Sequence, residues 1–229
     1  MAKPLTVVTE IIPPYQTKNE DGSVGGYATQ VVRRLFQLTG QQPDIIPLPW
    51  GRAYLMAQKE PNVLIYSMIR TVAREEQFQW IGNLHTQRFY MWGLKKNFDK
   101  PFSDLSQAKP YRIATSKGYG AAYLLAENNF DNVLHTARND QNVGMLFKER
   151  VDIIFSSEVL LYNRIKKLGY SNEDVRRLYE VAPLSRELSI AFSRESNPHL
   201  VLRFQVAFNY LERTGELEKI RRQWDIIER

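Results

Sequence analysis

The stretch that decides the fold runs from Leu5 to Tyr66. It opens on LTVVT (Leu5–Thr9) and continues through YATQVVRRLFQL (Tyr27–Leu38) and DIIPL (Asp44–Leu48). It closes on GRAYLMAQK (Gly51–Lys59) and VLIY (Val63–Tyr66). The short apolar runs are rich in branched residues and read as strands. The longer segments carry helical period. Val31, Val32, Leu35, Phe36 and Leu38 form an apolar stripe, and Gly40 stands just past its end. Pro13-Pro14 stops the first strand, and Asn19-Glu20-Asp21-Gly22 is a turn cluster. The order β-α-β-α-β is that of a parallel sheet with helices on both faces.

The pattern then restarts. Arg112 to Thr115, Val133 to Thr136 and Val151 to Phe155 read as strands. Tyr119 to Glu127, Asn139 to Glu149 and Ser156 to Leu168 read as helices. The chain therefore holds two similar α/β units without obvious sequence repetition. Between them Arg88 to Lys95 is aromatic and strand-like. After the second unit come a strand, Leu188 to Phe192, and an amphipathic helix with Leu200, Phe204, Phe208 and Leu211 on one face. Thr214-Gly215 breaks it, and Glu216 to Trp224 makes a last helix. This tail needs a surface to pack on, and a return to the first unit is the economical solution. The expected architecture is thus α/β, with two lobes: residues 1–91 with 188–229, and residues 92–187. The chain crosses twice, near Tyr90 and near Leu188. Two crossings make a hinge, and the cleft between lobes is a natural ligand site.

Composition narrows the function classes. With 229 residues and 43% hydrophobic content, a two-lobed chain can bury a core in each lobe. No run reaches the roughly 18 apolar residues that a membrane span needs. The chain has no cysteine, which excludes thiol catalysis, cysteine metal sites and disulfides. The three histidines, His85, His135 and His199, show no metal-ligand spacing. No metal or other cofactor is expected. The net charge of +6 is spread along the chain and mixed with Asp and Glu. There is no basic block or zinc-finger spacing, so no nucleic-acid partner is expected. Met1-Ala2-Lys3-Pro4 runs straight into the first strand without a secretory leader. Either the protein is cytoplasmic, or a leader has been removed.

Five segments, in order, carry a family resemblance. They are Glu10-Ile11-Ile12-Pro13-Pro14-Tyr15, Gly22-Ser23-Val24-Gly25-Gly26-Tyr27, the run from Ser67 to Trp80 (SMIRTVAREEQFQW), Lys117-Gly118-Tyr119, and the run from Leu211 through Gly215 to Trp224. In these segments the chain resembles the bacterial extracellular solute-binding proteins of family 3. That group includes periplasmic receptors for amino acids and shares its fold with ionotropic glutamate receptor ligand-binding domains. The resemblance spans Leu5 to Trp224. It implies a type II periplasmic-binding-protein fold, a periplasmic location, a small-molecule ligand, a monomer and a membrane permease as partner.

The resemblance also implies site residues. Arg74 occupies the position of the arginine that grips the ligand's α-carboxylate, and its guanidinium fork matches a carboxylate. The local sequence leaves a second reading open, a surface arginine paired with Glu75 or Glu76. Ser67 offers a hydroxyl and backbone groups, whereas Ile69 departs from the usual Ser or Thr and offers its backbone alone. Tyr15 and Trp50 fall where the first lobe places walls. Arg52 and Arg70 add positive charge if they face the cleft, which would suit a ligand with two acidic groups. In the second lobe Gly118 and Tyr119 sit at a strand-to-helix turn, where free N–H groups favour an anion. Ser157 stands where relatives carry an Asp for the ligand's ammonium. An α-ammonium would then lose its charged partner, so the ligand need not be a standard α-amino acid, unless Glu10 supplies the charge from the first lobe. Glu158 lies one residue on, about 100° around a helix.

Two further readings share this fold. Some relatives are dehydratases, and acid–base chemistry here would fall to Glu10 and Glu158. Others feed a signalling receptor rather than a transporter. The expectation is a non-enzymatic receptor that closes over its ligand.

Overall fold

The computed structural model describes residues 5–116, 120–136 and 139–226. By its internal contacts the chain divides into two compact units. One comprises Met1–Thr86 and Arg186–Arg229, the other Gln87–Ser185.

The first unit begins with β1 (Thr6–Thr9), the short pair β2 (Thr17–Lys18) and β3 (Val24–Gly25), and α1 (Tyr27–Leu38). It continues with β4 (Ile45–Pro47), α2 (Trp50–Lys59), β5 (Val63–Ile69), the single turn α3 (Val72–Glu75) and β6 (Phe78–Gln87). The second unit holds β7 (Phe89–Leu94), β8 (Ile113–Ser116), α4 (Gly120–Glu127), β9 (Val133–Thr136), α5 (Asn139–Phe147), β10 (Ile153–Ser157), α6 (Glu158–Lys167) and β11 (Val175–Glu180). The chain then returns to the first unit as β12 (Arg186–Ser193), α7 (Pro198–Arg213) and α8 (Glu216–Gln223).

The two sheets repeat one plan. In the first unit the order is β4-β1-β5-β12-β6, with β1 parallel to β4 and β5, and β12 antiparallel to β5. In the second it is β9-β8-β10-β7-β11, with β8 parallel to β9 and β10, and β7 antiparallel to β10 and β11. Each unit is therefore a β-α-β-α-β core closed by an antiparallel strand contributed from outside that run. In the first unit the closing strand is β12, so the C-terminal segment is covalently distant but structurally integral.

The helices form for the reasons their patterns indicate. α1 buries Val31, Val32, Leu35 and Phe36, and Phe36 meets Phe204 of α7 edge-on at 4.9 Å between ring centroids. α7 starts on Asn197, whose side chain accepts from the His199 N–H, with Pro198 in its first turn. Gly215, at φ 73°, turns the chain between α7 and α8.

Besides the two-residue strands β2 and β3, two longer strands differ from the sequence reading. β6 extends the segment around Phe78 into a ten-residue strand, and β11 arises where no strand is expected. β11 alternates Arg176, Arg177 and Tyr179 with buried Val175 and Leu178, and it occupies an edge of its sheet. β7 belongs wholly to the second unit, because Phe89 to Trp92 pair with β10, so Tyr90 lies past the first crossing.

Candidate functional site

In an open parallel sheet, ligands bind beyond the carboxyl ends of the strands, where loops and helix starts converge. In the first unit those ends belong to β1, β4 and β5. The pairing of Val8 with Ile65 continues upward, and the Thr9 hydroxyl donates to the Tyr66 carbonyl at 3.3 Å. Glu10 follows directly on the end of β1, and Ser67 follows Tyr66 in β5. On the other flank the Leu48 N–H donates to the Thr9 carbonyl at 2.8 Å and leads into Trp50, the first residue of α2. Glu10, Trp50, Ser67, Ile69 and Arg74 thus gather along one edge of one sheet.

Ser67 sits in an irregularity of β5. The ladder with β12 pairs Met68 with Ser189 and Tyr66 with Ile190, which leaves Ser67 without an opposite residue. Its φ is +57°, a left-handed conformation that costs a non-glycine residue energy. Its hydroxyl is buried and accepts from the side-chain amide of Gln16, a residue with no exposed surface. The Gln16 carbonyl oxygen is buried without a partner. Gln16, which holds the hydroxyl of the candidate residue Ser67, is absent from the sequence reading, and nothing in its local sequence marks it.

Arg74 is held but not neutralised. Its Nη1 donates to the Ile69 carbonyl at 2.8 Å. Its guanidinium carbon lies 4.8 Å from the ring centre of Tyr54 and 5.4 Å from that of Trp50. Among the described residues no carboxylate pairs with it. Glu75, the neighbouring acid, is engaged by Arg70 instead, with Arg70 Nε donating at 2.9 Å and Nη2 making a second bond. That bond lowers the pKa of Glu75 and raises that of Arg70. Arg70 also lies over the Trp80 ring at 5.1 Å. The two arginines therefore have different fates, with Arg70 saturated by Glu75 and Arg74 open to a further anion.

Trp50, Tyr54 and Gln58 recur every four residues on α2 and share a face. Arg52 lies two residues from Trp50, about 200° around the helix, and is exposed. It is not brought to the face that meets Arg74. Tyr15 is buried at 1% exposure, packed against Tyr27 and His85 at centroid distances of 6.4 and 5.8 Å.

In the second unit Ser157 ends β10 and is the N-cap residue of α6, yet its hydroxyl makes no capping bond. The Ser156 and Ser157 hydroxyls are both buried without partners, while the Ser156 carbonyl accepts from Trp92 Nε1 at 2.9 Å. Glu158 is buried, and its carboxylate accepts from Arg177 Nη2. Arg177 in turn lies over the rings of Tyr90 and Trp92 at 4.9 and 5.8 Å. This acid is committed to its own unit. Gly118 and Tyr119 lie outside the described residues. Among the described residues no group of His, Asp and Glu is arranged to hold a metal ion, and no helix is long and apolar enough to cross a membrane.

Two 2-1-3 parallel sheets, each closed by a strand from across the chain, define the class of type II periplasmic binding proteins. The chain belongs to the bacterial extracellular solute-binding proteins, family 3, whose sequence model matches residues 5–226. Solved structures with the same fold include a probable amino-acid ABC transporter extracellular-binding protein from Bacillus subtilis. It is 18% identical, with a TM-score of 0.76 over 96% of each chain. A histidine kinase sensor domain similar to periplasmic binding proteins is 16% identical, with a TM-score of 0.72 over 96% of this chain and 95% of that one. An ancestral amino-acid-binding protein, a precursor of cyclohexadienyl dehydratase, is 17% identical, with a TM-score of 0.71 over 96% and 94%. No curated protein sequence matches the chain.

Proposed function

We propose that this protein is a non-enzymatic, extracytoplasmic receptor that binds a small carboxylate-bearing ligand and delivers it to a membrane permease of an ABC transporter. The observation that carries the reading is Arg74. It is a half-buried guanidinium, fixed by Ile69 and two aromatic rings, at the carboxyl edge of a parallel sheet and without a carboxylate partner among the described residues. Such a group pairs well with an incoming carboxylate, because its orientation is set before the ligand arrives. Ser67 adds a hydroxyl, at a strand irregularity where it has no opposite residue in β12. In this reading the ligand docks on the first unit, and the second closes over it through Ser157 and the segment at Gly118 and Tyr119, a ligand-driven population shift.

Binding rather than turnover is favoured by the state of Glu158. Of the two acids considered for catalysis, it is already bonded to Arg177, which leaves no unengaged acid–base pair. A sensor is the second reading, supported by the similarity of fold to a histidine kinase sensor domain.

Thermal-shift and calorimetric titrations against amino acids, hydroxy acids and dicarboxylates test the proposal. Arg74→Ala removes a charge-assisted contact worth about 1.5–3 kcal/mol, a roughly 10- to 150-fold loss in affinity. An unchanged affinity in this variant would exclude Arg74 as the carboxylate site.

A further inference from the structure

We infer that Tyr54 is a positioning residue for Arg74, fixing the guanidinium that the proposed receptor function uses. The inference rests on that reading for its functional meaning and on separate geometry for its substance.

Tyr54 touches Arg74 with its ring and Gln77, two residues past the end of α3, with its hydroxyl. The ring centre is 4.8 Å from the guanidinium carbon, nearer than that of Trp50 at 5.4 Å. Behind it Phe78 packs at 5.6 Å between centroids and is itself buried. The Tyr54 hydroxyl donates to Gln77 Oε1 at 3.0 Å and accepts from Gln58 Nε2 at 3.2 Å. Gln58 also donates to Gln77 Oε1 at 2.8 Å, closing a triangle. Gln77 Nε2 then donates to the Ala73 carbonyl at 2.7 Å, one residue before Arg74. One side chain of α2 therefore supports the charged head of Arg74 and, through Gln77, the backbone that carries it.

An arginine has several rotatable bonds, and each must be ordered for a two-pronged contact with a carboxylate. Three constraints act here: the Nη1 bond to Ile69, the near face of Tyr54 and the more distant ring of Trp50. With Tyr54 removed, the Ile69 bond is the one close constraint left, and the guanidinium plane is freer to turn about it. Trp50 cannot compensate, since it packs on Tyr54 at 5.5 Å and loses that support as well. The ring supplies the orientation and the hydroxyl triangle supplies the backing, so a phenylalanine retains most of the effect and a leucine does not.

The test uses the full chain and reads Arg74 directly. The Nε–H signal of Arg74 is assigned by its loss in Arg74→Lys and followed by heteronuclear NMR in the wild type, Tyr54→Phe and Tyr54→Leu. The expected result is a ring-shifted, ordered signal in the wild type and Tyr54→Phe, and an averaged, mobile one in Tyr54→Leu. Affinities for acetate, succinate and L-glutamine are measured on the same samples. Tyr54→Leu weakens carboxylate binding about 3- to 30-fold, in line with a partly desolvated cation–π contact. Tyr54→Phe stays close to wild type, and in an Arg74→Ala background Tyr54→Leu has no further effect. An unchanged Arg74 signal in Tyr54→Leu overturns the inference, as does an equal loss of affinity with and without Arg74. A signal that responds to Tyr54 while Arg74→Ala leaves all three affinities unchanged supports the positioning and refutes the proposed function instead.

Discussion

Replacing Ser67 separates two effects that the structure places on one residue. Ser67→Ala keeps the left-handed backbone but removes the hydroxyl that receives the Gln16 amide. Gln16 is fully buried and its carbonyl oxygen already lacks a partner, so the substitution strands its N–H as well. An unsatisfied buried donor costs about 1–3 kcal/mol. Ser67→Gly strands the same amide but removes the side chain that disfavours φ near +57°, a penalty of about 1 kcal/mol after allowing for the greater freedom of glycine in the unfolded chain. Both variants should be less stable than wild type, and the glycine variant should be the more stable of the two by about 1 kcal/mol. Urea denaturation followed by circular dichroism reads the difference directly as a shift in midpoint at constant slope. A Gln16→Met background supplies the control: with no amide to strand, Ser67→Ala should cost under 1 kcal/mol, a coupling that a cycle of the two substitutions measures. An alanine variant as stable as the glycine variant would mean that the bulge does not hold Ser67 left-handed in solution. Equal costs in both backgrounds would mean that the Gln16 bond contributes nothing.

Two other perturbations follow from groups already placed. His85 is buried beside Tyr15 and its pKa is pushed down to about 4, chiefly by burial and secondly by Arg221. The unfolded chain therefore takes up a proton near pH 6.5 that the folded chain refuses until about pH 4. Stability present above pH 6.5 is lost progressively down to about pH 4, by about 3 kcal/mol in total, and melting curves of His85→Asn should be flatter across that window. In the second unit, Arg177→Met leaves the Glu158 carboxylate, only 10% exposed, without its cation and should destabilise by about 3 kcal/mol. Glu158→Gln leaves the better exposed Arg177, at 31%, and should cost less in the same denaturation assay.

The fold was legible because its signals are short-range. Buried parallel strands such as Val63–Ile69 need continuous apolar residues, and α1 and α7 need an apolar stripe, and both leave a mark in the local sequence. β11 left none, since an edge strand tolerates Arg176, Arg177 and Glu180, with Arg177 turned onto Glu158, Tyr90 and Trp92, and its Val175 and Leu178 spacing is not strictly alternating across the irregularity at Arg177 and Tyr179. The site was legible as residue types and opaque as pairings. Arg70, Arg74 and Glu75 stand within six positions, and adjacency alone allows either arginine to hold the acid. The turn of α3 decides it, carrying Glu75 back to Arg70 and Arg74 across to Tyr54. Tyr54 had a signal, its four-residue spacing from Trp50, whereas Gln16 and the left-handed Ser67 depend on a strand irregularity with no residue preference strong enough to announce it.

In the proposed receptor, charge recognition is what remains after such pairings. Glu75 is spent on Arg70 and Glu158 on Arg177. Arg74 is unspent, and so is Glu10, half-buried just past the end of β1 with no partner for its carboxylate among the described residues. The second unit offers the Ser156 and Ser157 hydroxyls, which are neutral. A ligand ammonium would thus find no free acid among the candidate residues of the second unit and one in the first. Glu10→Gln discriminates the two ligand chemistries that Ser157 leaves open. Should the ligand carry an α-ammonium, this variant weakens an amino acid by about 1.5–3 kcal/mol and leaves the matching α-hydroxy acid unaffected, since only the former loses a charge-assisted bond. Equal effects on both would show that Glu10 does not read the amine. In that case the ligand's second polar group is an uncharged one suited to a serine hydroxyl, and the hydroxy acid should bind the wild type at least as tightly as the amino acid.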